Sequence, residues 1–418
     1  MKIRSITYFC NPGYPFEEKV LHKAGEFLTQ AKSAFEAAGY EVQTTRLATV
    51  PFPTLFGRND AASAPVKVSH SDWTKLNDLP KLVEQLANTL KETDIEYASL
   101  GPALPEMPRS YEVLPEAIAV SPMIFFGGVM ADGTRGIDLP AIRACADVIV
   151  KCASIQPNGF ANLQFAALAN VRAGSPFLPA AYHDTHAEEP AFSIATEAAD
   201  LAVQAFENAD SLEAGRAHLI HEIEKHGQRV TAIAKSLPCP FDGIDFSLAP
   251  FPDEAQSLGY AVEKMGVPKV GLHGSLAAAA LLTEAIDRAN FPHTGFSGFM
   301  QPVLEDATLA RRAAEGTLTI KDLLLYSAVC GTGLDTIPLQ GDTTSEQLVP
   351  LLLDLCALAL RLDKPLTARL MPIPGKKAGD ETTFDFAFFA QSKIMSLESE
   401  TFSRFLAGNE NLSLQAKK

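Results

Sequence analysis

Apolar and polar positions along the chain follow two alternating rhythms. I-R-S-I-T-Y-F near the start reads as a strand, and Val20, Leu21, Ala24, Phe27, Leu28, Ala31 and Phe35 then recur at helical spacing until Gly39 stops them. Y-E-V-Q-T-T-R follows as the next strand. The pairing continues with a helix near 80–92 before E-Y-A-S-L, and a helix near 110–118 before M-I-F-F. Another helix opens at Asp138, an N-cap with Pro140 in the first turn. Ser211 to Ser236 reads as a long, charged amphipathic helix. The alternation then restarts: F-D-G-I-D-F-S-L-A-P is a strand entering a proline-rich turn, Asp253 to Met265 a helix, and P-K-V-G-L a buried strand. An alanine-rich helix follows H-G-S. Such alternation predicts an α/β protein with largely parallel strands. A single large domain over 1–418 is expected, with halves 1–190 and 240–418 joined by a helical segment, 191–239.

Composition narrows the partners. The formal net charge of −15 repels phosphate backbones and anionic membranes, and no basic cluster reverses it locally, so neither nucleic acid nor membrane is an expected partner. The apolar run L-V-P-L-L-L-D-L-C-A-L-A-L-R-L is broken by Asp354 and is too short to span a bilayer. Six scattered cysteines without a CxxC pair read as reduced thiols in a cytoplasmic protein. A small-molecule ligand and a homo-oligomer, a homodimer in the simplest case, are the expected partners.

Three constellations carry candidate chemistry. At Leu272-His273-Gly274-Ser275 a strand is expected to turn into a helix, with His273 as an acid/base at the strand end. The helix-start amides of Gly274 and Ser275 would face an anion. Ser275 as a plain N-cap beside an exposed His273 is the simpler alternative. At the end of the strand I-D-F-S-L-A-P, alternation sends Asp245 and Ser247 to one face, and the prolines that follow stiffen the exit; a structural turn explains the same residues equally well. In V-C-G-T-G-L-D-T-I-P-L-Q-G-D-T-T, Cys330 is a candidate nucleophile and Asp335 a positioning carboxylate. Against that, Gly331 and Gly333 read as helix stops, Pro338 as a breaker, and G-D-T-T as a turn leading into an N-cap. Because G-T-G follows a helix, it is not a dinucleotide fingerprint. Gly295 to Phe299, with Ser297, reads as a flexible lid with Glu305 beyond it, or more simply as a turn and a helix start; Arg135 in a glycine-flanked loop either pairs with a carboxylate or, more simply, is solvent-exposed. His183-Asp184-Thr185-His186 bunches metal-capable groups but reads as a solvated loop, so no metal site is expected.

Taken in order, these segments resemble the DUF711 family, also called UPF0210. The resemblance rests on I-D-F-S-L-A-P-F-P, V-G-L-H-G-S-L-A-A-A-A-L-L, G-F-S-G-F-M-Q-P-V-L-E-D, C-G-T-G-L-D-T-I-P-L-Q-G-D-T and T-A-R-L-M-P-I-P-G-K. M-K-I-R-S-I-T and F-L-P-A-A-Y-H, ending at His183, also fit. The resemblance implies a pyruvate formate-lyase-like α/β barrel of roughly ten strands in two half-barrels, whereas periodicity alone leaves an open doubly wound parallel sheet as the alternative. Gly375 and Gly379 lack the arginine-valine-x-glycine-tyrosine context of a radical loop, so no glycyl radical is expected. The sequence names no cofactor. The expected function is an enzyme acting on a small polar or carboxylated metabolite, lyase- or hydrolase-like, with a metabolite-binding regulatory protein of the same fold as the alternative.

Overall fold

The computed structural model describes residues 1–56 and 73–417. Among these residues one mixed sheet of eleven strands organises the chain. The strands are β1 (Lys2–Cys10), β2 (Val42–Thr49), β3 (Tyr97–Ala103), β4 (Ile124–Asp132), β5 (Gly136–Asp138), β6 (Phe165–Ala169), β7 (Ala191–Glu197), β8 (Phe241–Asp245), β9 (Gly333–Gln340), β10 (Leu366–Ile373) and β11 (Asn411–Leu412). The ladder runs β8-β7-β1-β2-β3-β4-β6-β10-β9, with β5 and β11 paired at one side of β4. Pairing is mostly parallel, and only the β7/β1 and β6/β10 junctions along the ladder are antiparallel. Strands β1, β2, β3, β4 and β6 therefore run one way, and β7, β8, β9 and β10 the other. Beyond the two ends of the ladder, one loop touches both: Ile244 bridges to His293, and Asp335 bridges to Pro302.

Period-two alternation gives the sheet two different faces. Ile6, Tyr8, Leu47, Ile124, Phe126, Ile194, Leu334 and Leu370 join the large apolar core shared with the helices, including Glu18–Ala37, Leu139–Ala153 and Ser345–Arg361. The intervening residues Phe9, Ala48, Phe125, Ala166 and Leu168 pack instead with Phe177, Leu178, Ala180 and Ala181. The β6–β7 connection thus lies against the face away from the helices. Hydroxyls fix it there: Thr7 Oγ1 donates to Pro176 O (3.3 Å), Ser99 Oγ to Ala181 O (2.7 Å) and Ser193 Oγ to Gly174 O (3.1 Å). A loop inside a protein must have its polar backbone satisfied, and these residues supply part of that.

Several local expectations change. P-K-V-G-L is not a strand: Val270 N donates to Glu263 Oε1 and Gly271 N to Ser275 Oγ, so side chains take donors a ladder would need. Gly271 sits at φ +102°, where a Cβ would lie 1.9 Å from Thr317 O. Ser275 is not the N-cap; Gly274 holds that position, and Ser275 Oγ also donates back to Leu272 O (2.7 Å). The segment 191–239 opens with β7 before helices Ala199–Glu207 and Leu212–Ala234. G-L-D-T-I-P-L-Q, read as helix stop and turn, is strand β9. Its proline is tolerated because β9 is the last strand of the ladder: β10 is the one strand paired with it, and its other side meets only the isolated bridges of Asp335 to Pro302 and Leu339 to Met395. G-D-T-T does end in an N-cap: Thr344 forms a capping box with Gln347.

Candidate functional site

The charged strand residues fall on the face away from the helices. Arg46 shares the parity of Ala48, Glu197 that of Ala195, and Asp335 and Arg369 alternate with core residues Leu334 and Leu370. They gather where β1 to β4 and β6 begin and where β7 and β8 end. A cavity of about 330 Å³ lies there. Arg4, Gln43, Thr44, Arg46, Glu305 and Arg369 form its polar wall, and Met123, Phe125, Phe160, Phe177, Phe386 and Phe388 much of its apolar wall. An enclosed apolar pocket with a few convergent polar groups is the usual form of a small-molecule site.

An ion network braces the polar wall. Arg369 clasps Asp335 with two bonds, Nε to Oδ1 (2.5 Å) and Nη2 to Oδ2 (2.9 Å), and Nη2 also reaches Glu305 Oε1 (2.8 Å). Glu305 Oε2 accepts from Arg4 Nη2, and Arg4 Nη1 reaches Glu197 Oε2 at 3.3 Å. Both oxygens of Glu305 are therefore held by guanidinium groups. The two-pronged geometry of Arg369 on Asp335 is the strong form of this interaction. Burial raises the Asp335 pKa, and Arg369 opposes the rise.

Two members depart from this balance. Glu197 accepts from Gln43 Nε2 (2.9 Å) through Oε2, while its buried Oε1 accepts no hydrogen bond among the described residues. Burial raises its pKa, against the pull of Arg4, Gln43 and Lys2. A buried carboxyl with a raised pKa next to a cavity is suited to holding and releasing a proton. Arg46 donates from Nε to Thr44 Oγ1 (2.8 Å), and among the described residues no carboxylate lies within ion-pair distance of it. Burial and the charge of Arg4 push its pKa down to about 9, which leaves it charged at neutral pH. The result is a half-buried guanidinium in a cavity wall with no ion-pair partner among the described residues.

The sequence-selected residues divide between this region and elsewhere. Asp245, Ser247 and Glu305 line the cavity, Asp335 sits behind Arg369, and Ser297 joins Asp245 in a clamp. In that clamp Asp245 accepts from Ser247 Oγ (2.5 Å), Phe296 N (2.9 Å) and Ser297 N (2.9 Å), and Ser297 Oγ accepts from Phe246 N (3.1 Å). Burial raises the Asp245 pKa while these donors oppose it. With two of its three donors on one loop, the Asp245 clamp fixes residues 294–298 against the end of β8. His273 and Gly274 are exposed at the start of helix Ser275–Arg288, and Ser275 is buried there, outside the cavity lining. Cys330 is buried in the large helix-side core. His183 is buried beside the end of β2, where its N–H donates to Thr49 O (2.9 Å), and burial lowers its pKa. Arg135 lies in the β4–β5 turn with Glu106 and Asp132. Both are at the opposite ends of their strands from the cavity. Among the described residues no group of three or more His, Cys, Asp or Glu is arranged to hold a metal ion, and no helix is long and apolar enough to cross a membrane.

A family model described as "Uncharacterised ACR (DUF711)" matches residues 1–392. The chain belongs to the DUF711 family. A UPF0210 protein of Pyrobaculum aerophilum is 36% identical over 261 residues, covering 60% of this chain and 57% of its own length. One of Methanopyrus kandleri is 28% identical over 382 residues, covering 87% of this chain and 82% of its own. The alignments span less than two thirds of the length of the first such relatives. A solved cellobiohydrolase mutant in a closed form is 15% identical over 37% of this chain and 46% of its own, at a TM-score of 0.25, too slight a likeness to bear on fold or function.

Sequence reasoning passed over Arg4, Arg46, Glu197 and Arg369 in this DUF711 chain. The signal was present: each is a charge inside a segment otherwise patterned as a strand, in I-R-S-I, T-T-R-L, I-A-T-E and T-A-R-L. Strands buried on both faces read as continuous apolar runs, so a charge within one requires a partner or a ligand.

Proposed function

We propose that this DUF711 protein is an enzyme acting on a small carboxylated metabolite held in the cavity by Arg46, with lyase-like proton transfer and no glycyl radical. The observation that carries the reading is Arg46 itself, a cavity-wall guanidinium without a carboxylate partner among the described residues, beside two arginines that have theirs. A carboxylate is the geometric match for a guanidinium fork, and binding one would relieve the cost of an unpaired, half-buried charge. Glu197 is the proton-holding group, next to Thr196 of the wall, and Glu305 keeps Arg4 and Arg369 in place. Proton transfer is favoured over covalent hydrolysis because the lining includes no cysteine or histidine among the described residues, and Ser247 Oγ donates to Asp245. The accompanying fold reading is a barrel of two half-barrels running in opposite directions, closed by residues 292–303 between β8 and β9. The bridges Ile244 to His293 and Pro302 to Asp335 support it.

A metabolite-binding protein without turnover is the second reading, favoured by the full engagement of Asp245 and Ser247. Incubation with a metabolite extract, read by mass spectrometry, separates the two. The enzyme reading expects one small acid to be depleted and a product to appear, with neither change for Arg46→Met. Stabilisation by an acid without product leaves the binding reading standing, and neither effect removes both.

A further inference from the structure

Residues 382–392 form a loop outside the sheet whose neck is closed by Thr382 and Ser392. Thr382 N donates to Ser392 O (2.9 Å), and Ser392 N donates to Thr382 Oγ1 (3.0 Å). Ser392 Oγ also donates to Ala310 O (2.8 Å), which ties the neck to helix Ala307–Glu315. The loop reads F-D-F-A-F-F, with phenylalanine at 384, 386, 388 and 389. These four rings have two different environments. Phe384 and Phe389 are buried against Leu304, Met371 and Ile373, and this half of the aromatic surface anchors the loop. Phe386 and Phe388 stay half-buried and line the cavity, while Asp385 before them and Ala387 between them are exposed.

The two cavity rings reach opposite rims. Phe386 meets Phe160, which precedes β6, with ring centroids 5.1 Å apart, and Phe388 meets Phe251, which follows β8, at 5.6 Å. The loop therefore spans the mouth from one half of the sheet to the other. Phe386 also packs against the anchoring cluster, its ring 5.1 Å from that of Phe389, but it is only partly covered there. The remaining surface of Phe386 and Phe388 faces the space that the Arg46 wall also faces.

We infer that Phe386 and Phe388 determine specificity: the ligand is an amphipathic monocarboxylate, its charged head on Arg46 and an apolar, preferably aromatic, body beneath the two rings. The inference rests on the anion role proposed for Arg46 and adds the other half of the ligand. The cavity of about 330 Å³ limits that body to something small, since it lies near the lower end of the roughly 300–1,000 Å³ of small-molecule sites. Ring-on-ring contact adds to the gain from apolar burial, so an aromatic acid exceeds an aliphatic one of similar length.

Calorimetric titration of the full chain with acetate, butyrate and phenylacetate tests this. The wild type is expected to bind in the order phenylacetate, butyrate, acetate, with at least about a tenfold advantage of the first over the last. Phe386→Ala should remove most of that advantage and leave acetate within about twofold of wild type. Phe386→Leu, which keeps an apolar side chain anchoring the loop, should retain the butyrate gain and lose the aromatic increment, and it serves if the alanine variant does not fold. Equal affinity for the three acids, abolished by Arg46→Met, overturns this inference and leaves the anion reading intact. No binding, or binding indifferent to Arg46→Met, overturns both.

Discussion

Arg369→Met is the severest single test of the ion network. The side chains of Arg369, Glu305 and Asp335 are 6%, 6% and 2% exposed, so none can fall back on water when a partner is removed. Glu305 keeps Arg4 in the variant, but Asp335 loses both bonds it accepts from Arg369. Breaking a buried pair from one side costs about 3–5 kcal/mol, because an uncompensated charge remains. Unfolding entropy near 2 cal/mol/K per residue over 418 residues turns that into a midpoint lowered by roughly 3–6 °C. Thermal unfolding and urea titration at neutral pH measure it. The control is Arg369→Met with Asp335→Leu, which removes the stranded charge and should recover at least half of the loss. A single variant that loses less than about 1 kcal/mol, or a double variant no more stable than the single, would refute the network as described.

Glu197→Gln addresses the buried carboxyl to which a proton-holding role is proposed. Because burial raises the folded-state pKa above the ordinary 4.5, the native chain binds more protons than the unfolded one in that window. Wild-type stability contributed by Glu197 is therefore complete below pH 4.5 and falls as pH rises through the folded value. The variant should gain relative stability over that window and then plateau, as denaturant midpoints across pH would record; a flat difference contradicts the assignment. Asp245→Ala removes the acceptor of three bonds and should cost about 2–4 kcal/mol, with earlier proteolytic cleavage near 294–298 than in wild type. Native thiol labelling should be slow at the five buried cysteines, Cys330 included, and fastest at Cys239, the one partly exposed thiol, with all six reacting on unfolding. Rapid native labelling of Cys330 would contradict its place in the core.

The strand–helix alternation was legible because it depends on local spacing. β1, β2, β4 and helix Ser345–Arg361 follow directly from apolar periodicity and caps. Pro268 to Leu272 misled the reading because a short apolar run cannot reveal that Glu263 and Ser275 will take its backbone donors. β9 was hidden by Gly331, Gly333 and Pro338, residues that break helices but are admissible at the last strand of a ladder. Motifs with chemically familiar residues drew attention to His273, Cys330, His183 and Arg135, which the fold disperses, while Asp245, Ser247, Ser297, Glu305 and Asp335 come together. That second group is joined by arginines from β1 and β10, pairings between residues 301 and 34 positions apart that no local pattern encodes.

The proposed role of Arg46 is to receive a small carboxylate inside the cavity. Its most direct test is the unfolding midpoint of wild type and Arg46→Met, each measured with rising phenylacetate and with chloride at matched ionic strength. Free Arg46→Met is expected to be at least as stable as wild type, having lost an unpaired, half-buried charge. Only wild type is expected to gain stability with phenylacetate, by about 2.7 kcal/mol when the acid reaches a hundred times its dissociation constant. Equal stabilisation of both proteins, or of neither, would contradict it.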